Sequence, residues 1–423
     1  MISGDQMIDF LGKTIECSCG KLHEVPNIEI ICEDSVSQRL SEFFEDAFFL
    51  ADENTISLVR SLEGKTIKLR DPQRVTATME NVQKIRSFLK NKDCREIVSV
   101  GSGSLTDIAK YTAYLTDREF SAFPTAPSVD GYTSSVAPLI VRGVKKTLTA
   151  KVPRKIIIDP EVIVNSPIDL IRAGIGDISS KIIARLDWIL SNLLTNEYIC
   201  DFVWDDMKGL LKVVLTDTRK ILQRDRSSIL NLMKIQLISG LNITIIGNSR
   251  PASGAEHLIS HVIEMYQEHR GQLPLFHGLQ VAMGTYITMK AYEAFFQDIH
   301  FAKSHISLED KEKLLIDFFG EKVTSELQKI YLHKRKIEKV DIKSIQKILE
   351  PIYLQYHSIL EASLFDMGVG ELFSKYDKNF IKNVIIISTT IRDRYTILDL
   401  FDQLGILKDF CDWFMEHMTE VKE

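Results

Sequence analysis

Four of the ten histidines of this chain lie between residues 257 and 277, and three of them have a spacing that could do chemistry. His257 and His261 stand four residues apart in a segment whose apolar residues have helical spacing, and side chains at positions i and i+4 lie on one face of a helix. His277 begins a second apolar segment after a polar break, so a helix, a turn and a returning helix would bring it beside His257. The spacing suggests a metal site, although an isolated pair of this kind more often packs in a core or on the surface.

Such a site needs a third ligand from elsewhere in the chain. Imidazoles suit zinc, nickel and iron alike, and a catalytic metal site usually has three protein ligands and an open position. A carboxylate is therefore expected, and Asp177 is the best candidate. It follows Gly174 and Gly176 and lies near the predicted start of a helix.

The six cysteines include one close group. Cys17, Cys19 and His23 could together hold a structural metal, but zinc sites usually have at least two residues between cysteines and a second ligand pair. A turn preceding the first strand is therefore favoured over a zinc knuckle. The other cysteines are scattered singly, which argues against a disulfide framework: they are Cys32, Cys94, Cys200 and Cys411.

A glycine-containing loop follows the predicted strand Glu96–Val100. The strand runs into Gly101-Ser102-Gly103-Ser104, after which a helical pattern begins. Strand, glycine turn and helix start together offer backbone N–H groups and a positive helix end to a phosphate. The spacing is not G-x-G-x-x-G, because Thr106 occupies its third glycine position. A plain tight turn therefore remains an equal alternative.

A block of small hydroxyl residues follows the next predicted strand. It runs from Pro124 to Ser135 and contains two prolines, a composition poorly suited to a core. It is well suited to a polar cleft at the carboxyl end of a sheet, where ligands bind in open α/β folds. Asp130 could hydrogen-bond a substrate hydroxyl there; the alternative is an Asp that closes a turn.

Composition limits the class of protein. The 423 residues exceed the usual size of one domain, so two domains are expected. A net charge of −6 gives no electrostatic case for nucleic acid, and we predict no membrane span because no apolar run approaches the required ~18 residues. The stretch Met1–Gly12 carries acids and lacks the layout of a signal peptide, so a cytoplasmic protein is predicted.

The pattern of apolar residues changes near residue 167. Before it, short apolar runs alternate with helical segments, which predicts a parallel sheet covered on both faces. Helices are expected at Arg74–Leu89 and Leu105–Leu115, and a hairpin at Thr133–Leu139 and Val144–Ala150. The predicted strands are Ile28–Ile31, Ala47–Ala51, Ile67–Leu69, Glu96–Val100, Phe120–Phe123 and Lys155–Ile158.

After Pro167 the pattern is that of long helices. The run Asn383–Ile387 stays ambiguous between helix and strand. We therefore predict a Rossmann-like α/β domain over residues 1–165 and an all-α domain over residues 166–423. The main predicted helices are Leu170–Leu194, Trp204–Leu222, Ser227–Ile245, His257–Glu268 and His277–Phe296, with several more between Leu308 and Met418.

Taken together, these motifs resemble the iron-containing alcohol dehydrogenase superfamily, which includes glycerol dehydrogenase and dehydroquinate synthase. Within it, the sequence is most similar to the sn-glycerol-1-phosphate dehydrogenases, including their nickel- or zinc-dependent bacterial branch. The similar motifs occur in the right order across both predicted domains. They are Gly101–Asp107 with Lys110, Pro124–Ser135, Gly176-Asp177 with Ser180-Lys181, Ser253–His257 with His261, His277-Gly278 and Arg394–Leu400.

The resemblance implies a fold, a reaction and roles for individual residues. It implies a dehydroquinate synthase-like fold and NAD- or NADP-dependent reduction of dihydroxyacetone phosphate to sn-glycerol 1-phosphate, a step of phospholipid biosynthesis. Asp177, His257 and His277 would hold one divalent ion (Zn, Ni or Fe), while Asp130, Asp177 and His261 would contact substrate. The cofactor would be bound by Asp52, Gly103, Ser104, Leu105, Thr106, Asp107, Thr125, Ser128 and Ser134.

Three alternatives remain from the same motifs. A glycerol or other polyol dehydrogenase would oxidise unphosphorylated glycerol. A dehydroquinate synthase-like lyase would need more basic residues to hold a phosphorylated sugar acid, and a non-catalytic nucleotide-binding protein would lack metal ligands. The partner is expected to be a small-molecule substrate, and a homodimer or larger homo-oligomer is possible.

Overall fold

The computed structural model describes residues 8–62, 64–71, 74–334, 337–338 and 340–418. The N-terminal stretch from which a signal peptide was excluded begins among residues 1–7, outside this range. The described chain forms two compact units, of which the first contains the residues up to Gly174 together with Asp205–Ser249. The second contains Ile175–Trp204 and the residues from Arg250 onward. The sequence-based boundary is a single cut after residue 165, whereas the first unit also takes in helices from residues 205–249.

The first unit is built on a parallel sheet of six strands in the order β3-β10-β7-β6-β4-β5. Every predicted strand of this sheet is present, with each end within one residue of the prediction. This confirms the predicted α/β fold class. The strands of the described chain are β1 (Thr14–Glu16), β2 (Leu22–Glu24), β3 (Glu29–Cys32), β4 (Ala47–Ala51), β5 (Thr66–Lys68), β6 (Glu96–Gly101), β7 (Glu119–Pro124), β8 (Val136–Val141), β9 (Val144–Thr149) and β10 (Lys155–Ile158).

The sheet strands are short apolar runs because both faces of the sheet are covered. All residues of β4, β6 and β10 are buried, as expected for parallel strands between two layers of helix. One core cluster contains Phe49, Val98, Val100, Phe123 and Ile157. Burial on both faces removes the polar alternation of an exposed strand, which is why the runs were recognisable in the sequence.

Strand order reverses direction between β4 and β6. The chain passes from β4 to β5 on one side, then returns to place β6 on the other side of β4. In open α/β sheets, ligands bind outside the carboxyl ends of the strands at such a topological switch point. Residues that follow β4 and β6 are therefore the natural ligand-binding residues of this sheet.

Two antiparallel hairpins lie outside the main sheet. The predicted one pairs β8 with β9, and its turn residues Arg142 and Gly143 have φ of 53° and 82°, as a type I′ turn requires. The other pairs β1 with β2. The turn predicted there is present, with Gly20 N donating to the Cys17 carbonyl. Its two flanking strands were not predicted, because three-residue strands give too little alternation to recognise.

The remaining elements are helices. The ambiguous run Asn383–Ile387 is helical, and the predicted helix Trp204–Leu222 is two helices separated at Asp217. The helices are α1 (Met79–Leu89), α2 (Gly103–Leu115), α3 (Pro160–Val164), α4 (Ile168–Thr195), α5 (Phe202–Thr216), α6 (Thr218–Leu222), α7 (Arg226–Ile246), α8 (Ala255–His269), α9 (His277–Phe296), α10 (Leu308–Tyr331), α11 (Ile342–Asp366), α12 (Val369–Phe373), α13 (Lys378–Ser388), α14 (Ile397–Gln403) and α15 (Leu407–His417).

Among the helices that the structure describes, one, α7, is long and apolar enough by composition alone to cross a membrane. The sequence analysis had found no such run. However, 67% of its most apolar 18-residue segment is buried inside the folded chain. Burial on this scale is typical of the core helix of a globular domain.

Candidate metal and nucleotide sites

A glycine in the middle of α4 allows Asp177 to approach His277. A Cβ added to Gly176 would lie 2.2 Å from the carbonyl oxygen of Gly278, so no other residue would permit this contact between α4 and the first turn of α9. Asp177, the next residue, lies well inside α4, which begins at Ile168. The prediction that Asp177 is near a helix start was wrong, because the glycines serve close packing and do not interrupt the helix.

A second glycine brings α8 and α9 together. A Cβ on Gly284 would lie 2.3 Å from the carbonyl oxygen of Glu256. The close packing of the two helices places the His257 and His277 rings with their centroids 5.3 Å apart. The predicted arrangement of helix, turn and returning helix is therefore present in the second unit.

Asp177, His257 and His277 converge on one point. Their possible ligand atoms all lie within 4.8 Å of one another, and Asp177 and His257 are 1% and 7% exposed. Nitrogen and oxygen donors bonded to one tetrahedral ion at 2.0–2.1 Å lie about 3.4 Å apart. The three side chains therefore form a group that could hold a single divalent ion, with an open position left for another molecule.

Hydrogen bonds behind the two imidazoles direct one nitrogen of each ring toward this point. The Nδ1 of His257 donates to Glu256 Oε1 at 3.0 Å. Ser260 Oγ donates to Gln280 Oε1, so its oxygen accepts from Nδ1 of His277 at 3.3 Å. With both Nδ1 atoms protonated, both Nε2 atoms carry the lone pair that binds a metal.

Charges within the group favour the ionised carboxylate. Burial raises the pKa of Asp177, but Lys181 and His257 offset this effect and bring its pKa well below the ordinary value. The Nζ of Lys181 lies 3.1 Å from Asp177 Oδ1. Burial lowers the pKa of His257, while Asp177 and Glu256 act more strongly and raise it. The ionised carboxylate is the form of Asp177 that binds a cation.

His261 lies beside the ligand group. Its ring centroid is 6.3 Å from that of His257 and 6.1 Å from that of His277, and the side chain is buried. It shares a helix face with His257, as its spacing predicted. This position suits a residue that handles a proton or a substrate group next to an ion.

Asp187, a residue that the sequence analysis missed, orders the backbone around the site. Its carboxylate accepts hydrogen bonds from the N–H groups of Ala255 and Ile397 and from the hydroxyl of Tyr292. Burial, together with the nearby charge of Glu256, raises its pKa to about 7. Its only sequence signal was an acidic residue among apolar neighbours on α4. Glu256 and Ser260 were also given no role, since their function depends on contacts across helices.

The glycine-containing loop of the first unit joins β6 to α2 at the switch point. Ser102 is the N-cap residue and the helix begins at Gly103. Asp52 directly follows β4, the neighbour of β6, and Thr125 follows β7, the neighbour on the other side. Asp52, Gly103 and Thr125, all predicted to bind a dinucleotide, thus lie at or just after the carboxyl ends of three adjacent strands, next to a helix N-terminus that attracts phosphate.

Several of these residues have side chains engaged within the unit. Leu105 and Thr106 are buried, and the N–H of Thr106 donates to the Ser102 carbonyl. Lys110 is fully buried and contacts Asp107 at 3.1 Å and Ser134 at 2.9 Å. Ser128 is also buried. In this arrangement the loop offers mainly the backbone of its first helical turn, at Gly103 and Ser104, to a phosphate.

The hydroxyl block is held by α7. Ser239 Oγ donates to Asp130 Oδ2 at 2.8 Å, and Thr133 Oγ1 donates to the Leu237 carbonyl at 2.6 Å. A Cβ on Gly240 would lie 2.0 Å from the Asp130 carbonyl oxygen. Asp130 is thus fixed by a helix, while Asp52 closes its own turn by accepting from Thr55 and Asn54.

The chain has recognisable relatives. A family model described as iron-containing alcohol dehydrogenase matches residues 42–167. A glycerol-1-phosphate dehydrogenase [NAD(P)+] from Geobacillus stearothermophilus is 31% identical over 298 residues, which are 66% of this chain and 74% of that protein. One from Sulfolobus acidocaldarius is 38% identical over 214 residues, which are 51% of this chain and 59% of the relative.

The fold also has counterparts among solved structures. A probable glycerol dehydrogenase from Sinorhizobium meliloti has a TM-score of 0.56 and 17% identity, over 91% of this chain and 97% of that one. At this identity the likeness concerns the fold alone. The sequence relatives are closer, and by their similarity the chain belongs to the glycerol-1-phosphate dehydrogenase branch of the iron-containing alcohol dehydrogenase family.

Proposed function

We propose that this protein reduces dihydroxyacetone phosphate to sn-glycerol 1-phosphate with NADH or NADPH, reversibly, and that it needs a divalent ion. The observation that carries the proposal is the convergence of Asp177, His257 and His277, with their ligand atoms within 4.8 Å of one another. The relatives from Geobacillus and Sulfolobus, named glycerol-1-phosphate dehydrogenases, suggest the substrate.

The ion would be held by Asp177, His257 and His277, and zinc, nickel and iron all suit this donor set. When bound, it supplies positive charge for a ketone oxygen that becomes an alkoxide. Glu256 keeps Nδ1 of His257 protonated and Ser260 does the same for His277. Both contacts hold the rings in the orientation and tautomer that a metal ligand requires.

The chain's own residues would bind the reactants and manage the proton. The backbone at Gly103 and Ser104 would receive the dinucleotide phosphates at the start of α2, with Asp52 after β4 and with Thr125 and Ser128 after β7. Asp130, fixed by Ser239, would orient a substrate hydroxyl. The substrate carbon gains a hydride from the reduced nicotinamide and its oxygen gains a proton, which we assign to His261 to hold or move.

The test is a comparison of two substrates across metals. Chelated, purified protein is supplied with zinc, nickel or iron, and cofactor oxidation is followed at saturating dihydroxyacetone phosphate; cofactor reduction is followed with glycerol. We expect metal-dependent turnover with the phosphorylated ketone, and a product that an sn-glycerol-3-phosphate dehydrogenase does not oxidise. Faster turnover with glycerol would identify a polyol dehydrogenase, and no turnover with either substrate would contradict the proposal.

A role in phospholipid biosynthesis would follow from this product, which is a glycerol phosphate. Homo-oligomeric assembly and a cytoplasmic location stay predictions from the sequence. Metal identity is proposed to depend on supply, because the same ligand set accepts several divalent ions.

A further inference from the structure

A second group of metal-ligand side chains lies at the β1–β2 hairpin of the first unit. The possible ligand atoms of Cys17, Cys19 and His23 all lie within 4.8 Å of one another. Cys19 Sγ is 3.3 Å from Nε2 of His23, and the imidazole of His23 is buried. Cysteine and histidine are the usual ligands of structural zinc, so this group calls for an explanation separate from the dehydrogenase site.

The hairpin brings the three side chains together by its turn. Cys17 N donates to the Lys21 carbonyl and Gly20 N donates to the Cys17 carbonyl, which closes a tight loop at the end of the strands. Gly20 has a φ of 84°, a conformation that favours glycine. The loop folds Cys19 back over β2, where His23 pairs across from Ile15. A plain turn would need the glycine but neither thiol.

Distances and donor chemistry agree with a bound ion. In a tetrahedral site with zinc–sulfur bonds of 2.3 Å and zinc–nitrogen bonds of 2.0–2.1 Å, the donor atoms lie about 3.6–3.8 Å from one another. The distance of 3.3 Å between Cys19 Sγ and His23 Nε2 is close to this range. The Cys19 N–H also points to Cys17 Sγ at 3.5 Å, and N–H groups directed at sulfur favour the thiolate that binds metal. No disulfide joins cysteines in the described chain.

We propose that Cys17, Cys19 and His23 supply three ligands of a structural zinc site, separate from the Asp177 group. Two three-residue strands make a hairpin that is marginal by itself in water, so an ion would supply the stability that the strands lack. β2 packs against α7, the helix that holds the Asp130 loop through Ser239. The ion would therefore stabilise the first unit without taking part in the reaction.

Cobalt distinguishes the two sites in the whole protein. Cobalt(II) bound to thiolate has an intense charge-transfer absorption in the near ultraviolet, whereas cobalt bound only to carboxylate and imidazole does not. We expect the chelated and cobalt-reconstituted chain to bind two ions and to show the sulfur band. A single bound ion that is lost in His257→Ala, or two ions without the sulfur band, would overturn the proposal.

Matched variants locate the sulfur band. Cys17→Ser with Cys19→Ser should remove one ion and the band, while Cys32→Ser, which changes a partly buried thiol of β3 outside the group, should keep both. His23→Ala should weaken cobalt binding by at least about tenfold, and His23→Cys should restore the affinity because it restores a donor. A band that persists in the double variant would contradict the assignment.

Chemical modification tests the same assignment without any variant. In the native chain, iodoacetamide should label Cys17 and Cys19 slowly with zinc present and at least about tenfold faster after chelation, as read by peptide mass spectrometry. Cys32 should label at one rate in both conditions. Equal labelling of Cys17 and Cys19 with and without chelator would show that no metal holds them. The proposal is independent of the dehydrogenase activity, because neither readout measures turnover.

Discussion

The two groups of possible metal ligands in the described chain are built on different scaffolds. The Asp177 group collects one residue from each of three long helices, α4, α8 and α9, and each glycine contact between them is closer than a side chain would allow. The Cys17 group lies within one hairpin and its turn. The first depends on long-range packing of the second unit, while Cys17, Cys19 and His23 are brought together by local pairing.

Donor type separates the groups further. Carboxylate and imidazole leave an ion positively charged and exchangeable, and buried partners at Glu256 and Ser260 orient the rings. Thiolates neutralise the ion and bind it more permanently, as in structural zinc sites. This difference is the basis of our proposal that the ligands on the helices, supported by buried hydrogen bonds, serve the reaction, whereas the sulfur ligands on the hairpin serve stability.

The largest effect is expected from removing a helical ligand. His277→Ala should lose the ion of the Asp177 group and lower turnover by about 10³-fold, because Lewis-acid stabilisation contributes several kcal/mol. The matched variant His261→Ala should keep the ion and lower turnover by about 10²-fold. Metal analysis and steady-state kinetics measure both. Equal metal loss in the two variants would make His261 a ligand.

Breaking the helix packing should damage the Asp177 group without changing its ligands. Gly176→Ala forces a Cβ to within 2.2 Å of the Gly278 carbonyl, and overpacking of this kind destabilises a protein by about 1–3 kcal/mol. Metal affinity and turnover should fall with it, whereas the hairpin cobalt band should persist.

Gly209→Ala on the exposed face of α5 is the control for this substitution. Nothing lies within 4 Å of its added Cβ, and alanine in a helix interior is favoured over glycine by about 0.5–1 kcal/mol. Chemical denaturation should show that Gly176→Ala lowers the free energy of unfolding and that Gly209→Ala raises it. Destabilisation by both would mean that the contact at Gly176 is not the cause.

A smaller effect is expected from the residue behind His257. Glu256→Gln keeps an acceptor for Nδ1 but removes its charge, and loss of such a partner lowers metal affinity by about 10–100-fold. Titration of the chelated protein with zinc measures this, with the hairpin ion as an internal reference. Unchanged affinity would remove Glu256 from the account of the site.

The smallest effect is a change in the pH dependence of stability. Asp187 has its pKa raised from 3.8 to about 7 by burial and by Glu256, so between these values the unfolded state releases a proton that the folded state keeps. This group therefore lowers the free energy of unfolding as pH rises through that range, by up to about 1.4 kcal/mol per pH unit, and adds no further slope above it.

Asp187→Asn should flatten this part of the stability profile. Denaturant unfolding at several pH values between 4 and 8 measures it, with Asp205→Asn, an exposed aspartate of α5, as the control. An unchanged slope in Asp187→Asn would mean that Asp187 is ionised throughout.

Much of the first unit could be predicted from the sequence. β4 and β10 match their predicted ranges because central parallel strands are continuous apolar runs. The β1–β2 hairpin was missed, since its strands are short and largely polar. The sequence analysis weighed the Cys17–Cys19 spacing against the usual spacing of zinc ligands. That spacing takes no account of the tight turn, which brings Cys19 close to His23.

The second unit was harder to predict in detail. Helical period alone identified α4, α7 and α9, but the glycines of α4 suggested a helix start rather than a packing contact. Asp187 and Ser260 gained their roles from partners distant in the sequence. Such contacts depend on which helices pack together. The periodic spacing of apolar residues identifies a helix but does not identify the helix against which it packs.

A metal-specific anomalous diffraction map of zinc-loaded crystals tests the central claim most directly. We predict one peak at about 2.0–2.2 Å from an Asp177 carboxylate oxygen and from Nε2 of both His257 and His277. A map with no peak bonded to these three side chains, or a peak bonded to Nδ1 of either ring, would contradict the account.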